Sequence, residues 1–253
     1  MDRRTPMRTA LGIGLAMVML ASPLAAGPVR DNVLSAQERA QGWRLLFNGR
    51  DLSGWRSFDG GTPPATWTVR DGALTLIKAD GQMSGTDLVT AGRYGAFELT
   101  LDWKVARGGN SGILYLAQKV PGAPLLYQTG LEMQVLDDAG HSDGKIPTHR
   151  AGALYDMTVP PAGAARPAGS WNHARLLVER GRIRQWLNGT PTADVSYGDK
   201  GWRRRVAGSK FAGMPQFGTF PSGVIGLQDH GEPVAFRNIK LRPIGPSATG
   251  AAK

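Results

Sequence analysis

Along most of the chain hydrophobic and polar positions alternate with a period of two. In GAFELTLDWKVA, Phe97, Leu99, Leu101, Trp103 and Val105 fall on one side and Glu98, Thr100, Asp102 and Lys104 on the other, the pattern of a strand with one buried face. TWTVRDGALTLI predicts a hairpin with Asp71-Gly72 at its tip, and WNHARLLVERGRIRQWLNGT a longer one turning at Arg180-Gly181. Such pairs supply the positive φ that tight hairpin turns require. WRLLFNGRDLSGW reads as a strand broken at Asn48-Gly49, and GGNSGILYLAQ as a glycine-rich entry to another. GLEMQVLD, SGVIGLQDH and PVAFRNIKLRPI continue the series. One helix signal is clear: Ser35 followed by Glu38, a capping box. Residues 138–170 read as loop and 198–215 as irregular or weakly helical. Many short strands separated by turns, with no alternating helices, predict an all-β fold, a two-sheet antiparallel sandwich forming a single domain over residues 27–243.

The two ends depart from this pattern. Arg3, Arg4 and Arg8 precede the apolar run ALGIGLAMVMLASPLAA, the plan of a secretory signal peptide. The small residues before Gly27 put the cut after Ala26, so residues 1–26 are expected to be removed and the protein exported to the periplasm or beyond. The apolar run is short and no second one follows, so stable membrane insertion is not expected. The tail 244–253, rich in Gly, Ala and Ser, is expected to be disordered. An exported chain with no cysteine must be held together by burial alone. The net charge of +10 falls to +8 once three Arg and one Asp leave with residues 1–26. Apart from WRRR at 202–205 the arginines are scattered, and no nucleic-acid-reading motif accompanies them.

The candidate chemistry collects at strand ends. In GLEMQVLD, Leu131, Met133 and Val135 would face the core while Glu132 and Gln134 face solvent. In VIGLQDHG, Gln228 and His230 share a face in the same way. Should these strands neighbour one another, the four polar groups line one groove. The loop DDAGHSDGKIPTHRAGALYD supplies Asp137, Asp138, His141, Asp143, His149, Tyr155 and Asp156. These are donors for a divalent metal in type, though in no stereotyped spacing, and equally the residues of ordinary turns. Asn110 and Ser111, set among glycines, could meet a ligand or simply turn the chain; with no G-x-S-x-G elbow, Ser111 is not read as a nucleophile. Trp171, Trp186 and Trp202 could stack on sugar rings, and Trp103 reads as core.

The segments GWRLLFNGRDLSGW, GNSGILY, GLEMQVLDD, GALYD, PAGSWNHARLLVERGRIRQWLNG, SKF and GLQDHGEPVAFRNIKLRPI, in this order over residues 40–243, resemble the 3-keto-disaccharide hydrolase domain family. The resemblance implies a concanavalin A-like jelly roll and a carbohydrate substrate, a glycoside oxidised to a ketone at the third sugar carbon. It implies cleavage by base-initiated elimination and hydration. On that basis Glu132 or His230 is the expected base; Asn110, Ser111, Gln134 and Gln228 bind substrate; and Lys210, or a metal on Asp137 and His141, polarises the ketone. Tyr155 is the expected proton donor. No cofactor beyond such a metal is implied. Two other functions fit the same fold: a retaining glycosidase using Glu132 and Asp137 on unoxidised glucan, and a carbohydrate-binding domain with no catalysis.

Overall fold

The computed structural model describes Met1 and residues 31–77 and 86–245. The segment read as a signal peptide, apart from Met1, and residues 246–253 of the tail lie outside them. The strands are β1 (Arg44–Leu45), β2 (Trp55–Ser57), β3 (Trp67–Arg70), β4 (Ala73–Leu76), β5 (Leu88–Thr90), β6 (Phe97–Val105) and β7 (Asn110–Ala117). They continue as β8 (Leu131–Leu136), β9 (Asn172–Glu179), β10 (Arg182–Leu187), β11 (Thr190–Ser196), β12 (Val224–Leu227) and β13 (Val234–Pro243). Among the described residues, two helices, α1 (Ala36–Ala40) and α2 (Lys200–Ala207), and three 3-10 turns complete the elements.

All strand pairs are antiparallel. One sheet of eight strands runs β11-β10-β9-β6-β13-β4-β3, with β1 also on β13, and the second, of five, runs β2-β5-β12-β7-β8. This is the two-sheet jelly-roll sandwich, concanavalin A-like in kind, that the alternation and the resemblance lead one to expect. Phe97, Leu99, Leu101 and Trp103 of one sheet and Ile113, Tyr115, Met133 and Ile225 of the other share a single core. The turn signals hold: Arg70 pairs with Ala73 across Asp71 and Gly72, both at positive φ, and Glu179 pairs with Arg182. In α1 both halves of the capping box form, Ser35 N–H to Glu38 at 2.7 Å and Glu38 N–H to Ser35 Oγ at 3.1 Å.

One reading is sharpened by the structure. The region around residue 200 is a regular helix, α2, started by Asp199, whose carboxylate accepts the Trp202 N–H at 2.7 Å; an N-cap Asp was visible in the sequence. Strand β7 is irregular. Val224 opposes Ala117 but Gly226 opposes Leu114, so β7 carries one extra residue, and Leu116 sits there at φ 57°. This bulge returns Leu116 to the core and sends Ala117 outward. Leu114, Ala117, Val224 and Val89, with Leu126, then form a second, smaller apolar cluster on the outer face of the five-stranded sheet.

Candidate active site

Across β7 and β8, Gly112 opposes Gln134 and Leu114 opposes Glu132. Residues directly opposite in an antiparallel pair share a face. Asn110, Gly112, Leu114, Glu132 and Gln134 therefore point away from the core, and Ser111, Ile113, Met133 and Val135 point into it. On the other side of β7 lies β12, which runs on to Gln228, whose N–H donates to Gly112 O at 3.0 Å, and then to His230. The two remote segments thus meet in one sheet, a strand apart.

On this outer face lies a pocket of about 180 Å³ lined by Asn110, Tyr127, Glu132, Gln134, Asp143, Tyr155, Lys210, Gln228 and His230. A larger hollow of about 470 Å³ beside α2 is mostly apolar and holds no carboxylate or imidazole. The pocket exists because two strand positions lack side chains. A Cβ at Gly112 would overlap the Glu132 carboxylate, and one at Gly226 would overlap the Leu126 side chain. Gly112 lets Glu132 lie flat across the sheet; Gly226 lets the 3-10 turn Leu126–Gln128 sit on it and bring Tyr127 to the wall.

Glu132 and Gln134 are not solvated as the alternation suggested: both are buried. Residues 152–155 pair along the free edge of β8, with Gly152 N–H to Gln134 O at 2.8 Å, Gln134 N–H to Ala153 O at 3.0 Å and Tyr155 N–H to Glu132 O at 3.0 Å. The last bond sets Tyr155 beside Glu132. From a third segment Lys210 reaches in, its N–H held by Asp156 at 2.7 Å and its Nζ 4.0 Å from the centre of the Tyr155 ring. The Gln134 amide satisfies its surroundings with its nitrogen toward Glu132 Oε1 at 2.9 Å and Ser111 O at 3.2 Å, its oxygen facing the Asn110 amide at 3.0 Å.

Burial pushes the Glu132 carboxyl up to about 7; Lys210 opposes the shift, and Asp87 and Asp143 add to it. Asp87, which accepts the Asp229 N–H at 3.0 Å, is also raised to about 7, first by burial. The Tyr155 phenol is raised by burial and then by Asp143 and Glu132. Its oxygen lies 3.1 Å from Asp143 Oδ2 and 3.2 Å from His149 Nδ1. A carboxyl that titrates near neutrality beside a fixed cation and a phenol can exchange protons with a bound molecule in either direction.

Seven expected site residues line this pocket: Asn110, Glu132, Gln134, Tyr155, Lys210, Gln228 and His230. Ser111 does not. It lies on the inner face, fully buried, and its hydroxyl donates to Gln228 O at 2.8 Å, holding the β12 exit against β7. Asp137 does not reach the pocket either. Its carboxylate accepts Gly108 N–H at 2.8 Å and Ala139 N–H at 3.3 Å, organising its own loop. The group of three able to meet a cation, among the described residues, is His141, His230 and Glu232, whose ligand atoms lie within 4.8 Å of one another. His230 Nδ1 is 3.0 Å from Glu232, and His141 Nδ1 accepts the Asp143 N–H at 3.1 Å, so each ring has Nε2 left to offer. The tryptophans are elsewhere. Trp202 is buried against Phe217 and Tyr197, and Trp171 and Trp186 lie under Arg237 and Arg175. Tyr127 and Asp143 carried no strand-face signal in the sequence; Asp143 stood only among a crowd of loop acids.

The profile of the 3-keto-alpha-glucoside-1,2-lyase-like domain matches residues 42–242. A 3-keto-disaccharide hydrolase of Bacteroides thetaiotaomicron is 33% identical over 228 residues, covering 80% of this chain and 79% of that protein. Two crystal structures of candidate glycosyl hydrolases from Parabacteroides distasonis are similar. One has a TM-score of 0.78 at 34% identity, covering 85% of this chain and 100% of the other. The second has a TM-score of 0.60 at 26% identity, covering 80% and 99%.

Proposed function

The chain belongs to the 3-keto-alpha-glucoside-1,2-lyase-like domain family and is a glycoside-cleaving hydrolase, and from that premise we propose that its substrates are glycosides already carrying a ketone at the third sugar carbon. The observation that carries this reading is Glu132: one buried carboxylate raised to about 7, beside Lys210 and Tyr155. A ketone makes the hydrogen on the neighbouring carbon acidic, so a single weak base suffices to start the reaction. Glu132 takes the C2 proton, and the C–H electron pair moves into an enolate whose oxygen the Lys210 ammonium stabilises. The enolate collapses to a C1–C2 double bond and expels the anomeric oxygen, which takes a proton from Tyr155. Water adds to C1, its proton passing to the Tyr155 oxygen, and Glu132 returns its proton to C2. Asn110, Gln134 and Gln228 offer amides to the sugar hydroxyls.

A retaining mechanism on unoxidised sugar needs two carboxyls about 5–5.5 Å apart, and the partner offered by the sequence, Asp137, is spent on backbone N–H groups. A divalent cation would sit at the rim on His230, Glu232 and His141, where it would add positive charge near the ketone. His141 fits least well, since ligation through Nε2 would put a proton on the Nδ1 that now accepts a backbone N–H. Export is part of the proposal, supported by the three arginines ahead of the apolar run; protein recovered from the cell envelope should begin at Gly27. The experiment is incubation with a 3-keto-glucoside and its unoxidised parent. Release of the aglycone from the first alone is the expected result. Release from the parent would favour the retaining reading, and binding without release the lectin-like one.

A further inference from the structure

Behind Tyr155, outside the pocket wall, lies an arrangement that the mechanism above leaves unused. The His149 ring stacks on the Tyr155 ring with centroids 4.4 Å apart. Its Nδ1 is 3.2 Å from the phenol oxygen and 3.3 Å from Asp143 Oδ2. Its Nε2 is 3.1 Å from Asp156 Oδ1. Both ring nitrogens therefore face a carboxylate oxygen, so either can carry a proton and donate it. Asp156 adopts φ 58°, a conformation uncommon for a residue with a Cβ, though one that Asp tolerates better than most. Its N–H donates to Thr148 O at 2.9 Å, and its second carboxylate oxygen accepts the Lys210 N–H.

We propose that His149, aimed by Asp156, is the proton store that recharges Tyr155 between the two halves of the reaction. The inference rests on the function proposed above. As the C1–O bond breaks, the leaving oxygen takes the Tyr155 proton and the phenolate oxygen takes the proton from His149 Nδ1; the ring stays held through Nε2–H by Asp156. When water adds to C1, its proton passes to the Tyr155 oxygen and the Tyr155 proton returns to Nδ1, restoring the starting state. The same logic, a reacting hydroxyl, an imidazole and an orienting carboxylate, operates in serine hydrolase triads. His149 and Asp156 do not line the pocket and act through Tyr155, so both are positioning residues.

The test compares two probes that differ in their need for a proton. A 4-nitrophenyl 3-keto-glucoside loses a stable phenolate, whereas a 3-keto-disaccharide must protonate an alkoxide. His149→Gln and Asp156→Asn should lower kcat on the disaccharide about 100-fold, the lower end of general-acid effects, with KM nearly unchanged, and lower kcat on the nitrophenyl substrate less than about 5-fold on the same ground. Tyr155→Phe should show the same split. Asn tolerates positive φ and keeps an acceptor for the Lys210 N–H, so Asp156→Asn is expected to fold; thermal melts check both variants. Equal loss on both probes, or no loss, overturns the proposal. A split in Tyr155→Phe but not in His149→Gln overturns it while leaving the parent function standing. No release by wild type from either probe overturns both.

Discussion

Glu98 and Glu132 are the same residue type, each 5% exposed, each on the outward face of a sheet, and the protein treats them in opposite ways. Glu98 lies on β6 of the eight-stranded sheet. Burial would raise its carboxyl, but Arg175 at 2.6 Å and Arg242 at 2.5 Å outweigh burial and hold it below the usual range. Glu132 on β8 meets only the Gln134 amide and the more distant Lys210 charge, and burial wins. Depth alone therefore does not make a carboxylate reactive; withholding an ion-pair partner does. The contrast extends to the sheets. The eight-stranded face carries Asp102 bonded to His173 and Asn238, and tryptophans covered by arginines, while on the five-stranded face Lys210 is the cation that Glu132 feels.

Exchanging each glutamate for glutamine tests this contrast most strongly. Glu132→Gln removes the base and should lower kcat on a 3-keto-glucoside by about 10²–10⁴-fold, with stability at pH 8 raised, because a buried charge is gone. Glu98→Gln should leave kcat unchanged and cost about 1–3 kcal/mol in a urea melt, since two hydrogen bonds between charged groups are lost. Wild-type turnover by Glu132→Gln would reduce that carboxylate to a structural group.

Gly112 offers a subtler way to break the comparison. Gly112→Ala leaves Glu132 in place chemically but puts a methyl where its carboxylate lies. Overpacking of this kind costs about 1–3 kcal/mol, and the displaced carboxylate should lose about 10-fold or more in kcat, as misplacement of a reacting group does. A variant with wild-type kcat would mean that the carboxylate need not lie flat against β7.

The same glycine marks the limit of what could be read from sequence. The alternation in β6 and the turns at Asp71-Gly72 and Arg180-Gly181 are local, so they were legible. The alternation of Glu132 and Gln134 was legible too, and gave the correct face. What covers that face was not, because burial of Glu132 depends on residues 152–155 closing the β8 edge and on Lys210 arriving from 54 residues past Asp156. Ser111 was misassigned for the converse reason: its neighbours Asn110 and Gly112 serve the pocket, and the pleat turns it inward. Trp171 looked available because its cover, Arg237, comes from a distant strand, whereas Trp186 is covered by Arg175, its direct partner across the β9–β10 hairpin.

pH separates the two glutamates by sign. Glu132 has a folded pKa of about 7, above its ordinary value near 4.5, so its contribution to stability is fully present below pH 4.5 and is lost as pH rises through 7. Glu98 is depressed: its contribution is present above its ordinary pKa and is lost as pH falls below it. Relative to wild type, Glu132→Gln should therefore gain stability between about pH 4.5 and 7, on the order of a few kcal/mol, and Glu98→Gln should lose its deficit in acid. In kinetics, kcat/KM should rise with pH through a limb near 7. Loss of base action in Glu132→Gln should abolish that limb; its persistence would assign it to Asp87, also raised to about 7.

The smallest effect is expected at the rim. Lys210 already places a positive charge where Glu132 feels it, so a cation on His141, His230 and Glu232 would add to an electrophile that exists. Chelation, or His141→Ala, should change kcat less than about 10-fold, and Lys210→Met should cost more, of the order seen when one stabilising donor is removed, about 10²–10³-fold. The measurement is turnover of a 3-keto-glucoside before and after chelator, then with manganese or zinc restored. A chelator effect larger than that of Lys210→Met would reverse the ranking and make the rim ion, rather than the lysine, the group that holds the enolate oxygen. Glu132 would then be the base of a metal-assisted elimination, and its lack of a guanidinium partner would reflect room left for a metal-held substrate.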